Sequence, residues 1–179
     1  MVDEKKLNEL LEKVAACKKG VIDLSCDEDL SVAVMNLISI EEHLFFTGTK
    51  TGNKHYFELL DIVREIRKEL LARLVKNPAG EEWCISKHLL ATTMRLIEVG
   101  TKQQVQGNRE QAAQLFSRAY ELYTLFWAIN LKLITPEQAA VHAESATQTE
   151  AGETPPYKKS STLEKLGETI KKIIDCCIE

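Results

Sequence analysis

The chain lacks a cysteine framework. Its five cysteines, Cys17, Cys26, Cys84, Cys176 and Cys177, are odd in number and form no Cys-x-x-Cys pair. That excludes a secreted disulfide scaffold or a zinc ribbon and points to free thiols in a reducing compartment. It also lacks an excess of positive charge. With 23 Lys and Arg against 27 Asp and Glu, the net charge is −4, which argues against bulk nucleic-acid or membrane-surface binding. No run reads as long enough to cross a bilayer, so no membrane contact is expected. The start, MVDEKKLNELLEKV, is charged and amphipathic without the apolar stretch of a signal peptide, so the cytoplasm is the expected compartment. Strand alternation is missing over any useful length. No Gly-x-Ser-x-Gly elbow or P-loop spacing occurs, and no Cys/His pair sits in a glycine-rich turn.

What is present is helical periodicity. Leu7, Leu10, Leu11, Val14 and Cys17 form one narrow stripe, ending at Lys18-Lys19-Gly20. Ser25-Cys26-Asp27-Glu28 has the form of a capping box and opens a helix to about Phe46, with Leu30, Val34, Leu37, Ile38 and Phe45 inward. The glycine-bearing stretch Thr47–Asn53 is expected to break it. A helix over about 54–76 should bury Leu59, Val63, Ile66, Leu70 and Leu74, leaving Arg64, Arg67, Lys68 and Arg73 on its surface. Asn77-Pro78-Ala79-Gly80 is a break, and the helix after it is apolar on more than one face, as a central helix would be. Asn108-Arg109-Glu110-Gln111 reads as a capping-box variant opening a helix to about Leu133. That helix carries Phe116, Tyr120, Tyr123, Phe126 and Trp127.

These patterns predict an all-α protein: a single antiparallel bundle of about five helices over residues 1–134, then a short helix and polar linker over 135–161. Residues 162–179 are predicted as a C-terminal amphipathic helix. Its stripe, Leu163, Leu166, Ile170, Ile173 and Cys177, has the three-four spacing of a docking or coiled-coil helix.

Leu96, Gly100, Gly107, Ala112, Phe116 and Ala119 stand at a telling spacing. Small residues let two helices approach, and Phe116 fills the space beyond them. The stretch from about residue 93 to 126 resembles one tetratricopeptide repeat. It departs from that pattern at Gln103, where a large apolar residue is usual, and at Thr124, where proline commonly ends the repeat. No second copy follows, whereas such solenoids need about three. The resemblance therefore implies one tight helical hairpin inside a bundle, with peptide binding as a suggestion only.

Four candidate sites emerge. Cys84 and His88, four apart on a helix, share a face and suit a metal ion, with Glu81, Glu82 and the distant Glu41, Glu42 and His43 as further ligands. The double Glu-x-x-His signature of di-iron bundles is absent. Glu41, His43, Cys84, His88, Arg95 and Glu98 together form the candidate ligand pocket, with Lys87 and Lys102 at its rim and a Glu41–Arg95 pair within it. Lys50, Thr51 and Lys54, leading into a helix N-terminus, suit an anion. The basic residues of the 54–76 helix suit phosphates, although glutamates interleave with them.

The expected function is non-enzymatic: an interaction or assembly module that binds a partner protein or a second copy, a dimer, through apolar helix faces. Two alternatives stand beside it. One is a metal- or small-ligand-binding bundle, potentially an enzyme, on the Cys84/His88 face. The other is nucleic-acid binding.

Overall fold

The computed structural model describes residues 25–135. Among them are four helices and no strand: α1 (Ser25–Thr51), α2 (His55–Leu74), α3 (Glu82–Val105) and α4 (Arg109–Asn130). The expected N-terminal helix with Leu7–Cys17, the linker and the C-terminal helix lie outside the described residues. The all-helical class stands.

The described residues fold as two helical hairpins. The tightest pairing is α3 with α4, then α1 with α2, and α1 also packs on α3. This makes α3 the central helix, as its several apolar faces predict. The α3–α4 turn is built by Gly107, whose φ of 85° suits glycine. The amide of Asn108 donates to the Gln103 carbonyl at 2.9 Å, and that of Gly107 to Gln104 at 3.1 Å. This is the paired C-terminal closure that satisfies otherwise orphaned helix carbonyls. Asn108 does not cap α4 with its side chain; its amide group donates to Gln103 Oε1 instead, at 2.8 Å.

Close approach along α3–α4 follows from small residues. Ala112 and Ala119 are buried, and a Cβ added to Gly100 would lie 2.6 Å from the Phe116 ring. The register that sets Gly100 against Phe116 also sets Ser86 against Asn130, whose side-chain amide donates to Ser86 Oγ at 3.0 Å. Thr93 and Thr124 lie between these contacts, and their buried hydroxyls have no hydrogen-bond partner among the described residues.

The main core lies where the hairpins meet. Val34 and Met35 of α1, Leu71, Leu74 and Val75 at the end of α2, and Leu89 and Leu90 of α3 surround Phe126–Ile129 of α4. Phe126 and Trp127 meet edge to face at 5.2 Å. Ser31 Oγ and the Tyr123 hydroxyl, 2.7 Å apart, tie α1 to α4. At the start of α3, the buried carboxylate of Glu82 accepts from the Ala79 amide at 2.9 Å and pairs with Lys132. The Lys132 hydrogen bond, then the Ala79 amide, hold this carboxyl below its ordinary pKa.

Three expectations are corrected. First, α1 does not break at Thr47; it continues to Thr51. Gly48 is buried inside it against the Phe57 ring, and the break is confined to Gly52–Lys54. Second, the uninterrupted helix Cys26–Thr51 is, by length and composition alone, long and apolar enough to cross a membrane, contrary to the expectation that no run qualifies. Only 17% of the qualifying stretch is buried, and the helix carries two adjacent glutamates, Glu41 and Glu42, paired with arginines of neighbouring helices. Third, α2 is turned about its axis. Leu60, Arg67, Leu71 and Leu74 are buried, whereas Leu59, Ile62 and Ile66 are 49%, 58% and 46% exposed.

Candidate functional site

An open cleft of about 710 Å³ lies between α1, α2 and α3. Each helix lines it with one row of side chains at helical spacing. From α1 come Ile38, Glu41, Glu42 and Phe45. Leu60, Arg64, Arg67 and Lys68 come from α2, and Trp83, Lys87, His88 and Ala91 from α3. Phe45, expected in the core, is half-exposed at this cleft.

The charge at the cleft is organised around Glu41. Arg67 Nε donates to Glu41 Oε1 at 2.8 Å and its Nη2 to Oε2 at 3.3 Å. Arg64 Nε donates to the same carboxylate at 3.2 Å. Arg67 is 6% exposed. A cation so buried is tolerable only because its partner is fixed beside it. Glu42 turns the other way and pairs with Arg95 on α3, and Arg95 also pairs with Glu98. The expected Glu41–Arg95 pair is thus not formed: Glu41 pairs with Arg64 and Arg67, and Arg95 pairs with the adjacent Glu42.

The candidate pocket residues divide accordingly. Glu41 and His88 line the cleft, as does Lys87. Arg95 and Glu98 form a surface ion-pair group with Glu42. His43, Cys84 and Lys102 are exposed and do not line the cleft. Among the described residues no three His, Cys, Asp or Glu side chains are grouped to hold a metal ion, so Cys84, His88, Glu41 and His43 do not converge as a ligand set. Arg64, Arg67, Lys68 and Trp83 belong to the cleft although sequence reasoning did not place them there. Their signal was present in the rows 60-64-67-68 and 83-87-91, whose spacing puts each set on one helix face.

The segment Lys50, Thr51 and Lys54 forms no anion cradle. Lys50 and Thr51 end α1, where carbonyls rather than amides face outward. The amides that open α2 are taken: His55 donates to Asn53 Oδ1 at 3.0 Å, and Tyr56 and Phe57 donate to the Asn53 and Lys54 carbonyls. The basic residues of α2 are also engaged. Lys68 pairs with Glu65 and holds that carboxyl below its ordinary pKa. Arg73 pairs with Glu69.

A second feature lies on the opposite side of the α1–α2 hairpin. The apolar stripe of α2, with Leu59, Ile62 and Ile66 strongly exposed and Val63 half-buried, points away from the cleft, and Leu70, which continues it, packs against the core. At 3.6 residues per turn, Ile40 of α1, 44% exposed, lies on the side of that helix away from the Glu42–Arg95 link to α3. The anchors Leu163, Leu166, Ile170, Ile173 and Cys177 lie outside the described residues. Comparison of the chain with protein-family models, with curated proteins and with solved structures finds no match in any of the three.

Proposed function

We propose that the protein is a non-enzymatic interaction and assembly module. The outer face of its α1–α2 hairpin receives the amphipathic segment Leu163–Cys177 of a second copy. The observation behind this reading is the stripe Leu59, Ile62, Val63 and Ile66, which has the periodicity of a core face but stands partly in solvent. Contiguous exposed apolar surface of this kind marks interaction sites, and an amphipathic helix binds such a face through anchors three and four apart.

At 1.5 Å per residue the stripe from Leu59 to Ile66 is ~10 Å long, and 136–162 would reach at most ~90 Å if fully extended, enough for a neighbouring molecule. Solution mass by light scattering tests the reading. The full chain should associate as concentration rises. Deletion of residues 150–179, or the double change Ile62→Glu and Ile66→Glu at exposed positions, should return it to the mass of one chain. A full chain that stays single at every concentration overturns the proposal, as does a mass that both changes leave unaltered.

A further inference from the structure

We propose that the end of the α1–α2 hairpin, around the turn Gly52–Lys54, binds the surface of an anionic lipid bilayer and inserts phenylalanine side chains among the headgroups. This goes beyond the assembly reading, which uses the outer face of the same hairpin, and it runs against the expectation of no membrane contact.

The end of the hairpin is apolar on more than one side. Phe45 and Phe46 are 49% and 59% exposed. Phe45 lines the cleft, on the side of α3. Phe46 stands about 100° further round α1, and the two rings meet edge to face at 5.4 Å. On α2, Phe57 is partly exposed beside Gly48, and Leu59 opens the outer stripe. A protein groove covers one face of a helix, whereas a surface apolar in several directions suits a medium that surrounds it. From Phe45 to the end of α1 the rise is ~9 Å, within the roughly 5–10 Å that apolar groups reach at a bilayer interface.

The polar groups of this end are satisfied internally, as entry into a medium of low polarity requires. The hydroxyls of Thr49 and Thr51 donate to the carbonyls of Phe45 and Thr47 at 2.8 and 2.7 Å. In the turn, the Gly52 amide donates to the Gly48 carbonyl at 2.9 Å. The Asn53 amide donates to Thr51 Oγ1 at 3.3 Å, and the His55 amide to Asn53 Oδ1 at 3.0 Å. The local charge is opposite in sign to that of the whole chain. Lys50 and Lys54 are exposed and unpaired among the described residues. Glu58 is the one acid in residues 43–60, and His55 holds it at 2.9 Å. The next acid, Asp61, lies 3.5 Å from Arg64. Residues 43–60 therefore carry one net positive charge with His55 neutral, and basic residues near an anionic bilayer add to apolar insertion.

Co-sedimentation of the full chain with vesicles of phosphatidylcholine containing about 30% phosphatidylserine tests the site. Saturable binding is expected, at least about fivefold tighter than to phosphatidylcholine alone. The double change Phe45→Gln and Phe46→Gln should weaken it at least about tenfold. Lys50→Gln with Lys54→Gln should remove the preference for the anionic vesicles. Ile97→Gln, at an exposed apolar position of α3, should leave binding unchanged. Phe46→Trp should add fluorescence that brominated acyl chains quench, and Lys102→Trp should add none. No saturable binding to the anionic vesicles overturns the assignment. So does binding that the two phenylalanine changes leave intact, binding that Ile97→Gln weakens as much, or a bound Phe46→Trp protein whose added fluorescence is not quenched.

Discussion

Replacing Gly100 by alanine puts the α3–α4 contact to a quantitative test. Two effects oppose each other. In a helix interior, Gly→Ala gains about 1 kcal/mol because alanine loses less backbone freedom on folding. Against that, the new methyl would sit 2.6 and 2.8 Å from two carbons of the Phe116 ring, where ordinary carbon contacts are about 3.5–4.0 Å. The ring or the helix must therefore retreat by about 1 Å. Ala112 and Ala119, each 2% exposed, already hold α4 close to α3, so retreat opens the hairpin rather than only turning a side chain. Overpacking of this kind costs about 1–3 kcal/mol, and the balance is a net loss of about 1 kcal/mol.

Gly48→Ala supplies the internal control. Its methyl would lie 3.0–3.2 Å from the Phe57 ring, and Phe57, 37% exposed, has solvent to move into. Gly48→Ala should be neutral or slightly stabilising. Urea denaturation followed by helical circular dichroism should rank Gly48→Ala above Gly100→Ala by about 1 kcal/mol or more. Adding Phe116→Leu to Gly100→Ala should recover part of the loss. A Gly100→Ala protein as stable as the parent would refute the packing argument, whatever Gly48→Ala does.

Further outcomes follow from the ion pairs. Arg67→Met keeps the buried stem but removes the charge facing Glu41. Because Arg64 remains as a second partner, the loss should be about 2–3 kcal/mol, below that of a fully orphaned buried charge. Arg64→Gln, at a more exposed guanidinium, should cost about 0–1 kcal/mol. The double change Glu41→Gln with Arg67→Met should cost clearly less than the two single changes added together, as a double-mutant cycle in urea would show. At Glu82 the folded carboxyl titrates below its ordinary value of 4.5 because it is hydrogen-bonded to Lys132 and to the Ala79 amide. Its contribution is therefore complete above the unfolded pKa and disappears as pH falls through the lower folded one. Between about pH 5 and pH 3 the stability of the parent should fall more steeply than that of Glu82→Gln; parallel pH profiles would contradict this.

Periodicity and punctuation in the sequence determined the helical class and most helix limits. Asn77-Pro78 and Gly107 end helices because proline removes a donor and glycine accepts the left-handed backbone, and both effects are local. The Gly100–Phe116 contact was legible for a related reason: small residues at helical spacing require a close neighbour. Gly48 was misread because a buried glycine within a helix and a glycine that ends one look alike until the Phe57 ring is placed against it.

Tertiary structure decided which face of α2 turns inward. Most of its regular apolar stripe, Leu59-Val63-Ile66, lies on the outer side, with Leu70 packed on the core, while Arg67 is buried. Hydrophobic spacing alone would reverse that choice. It holds because Glu41, 26 residues away in sequence, offsets the desolvation of Arg67, and Arg64 completes the pairing. Helix periodicity specifies which side chains share a face, but not what lies opposite. The cleft, its charge and the uncovered stripe all depend on that second fact, and only the packing of three helices provides it.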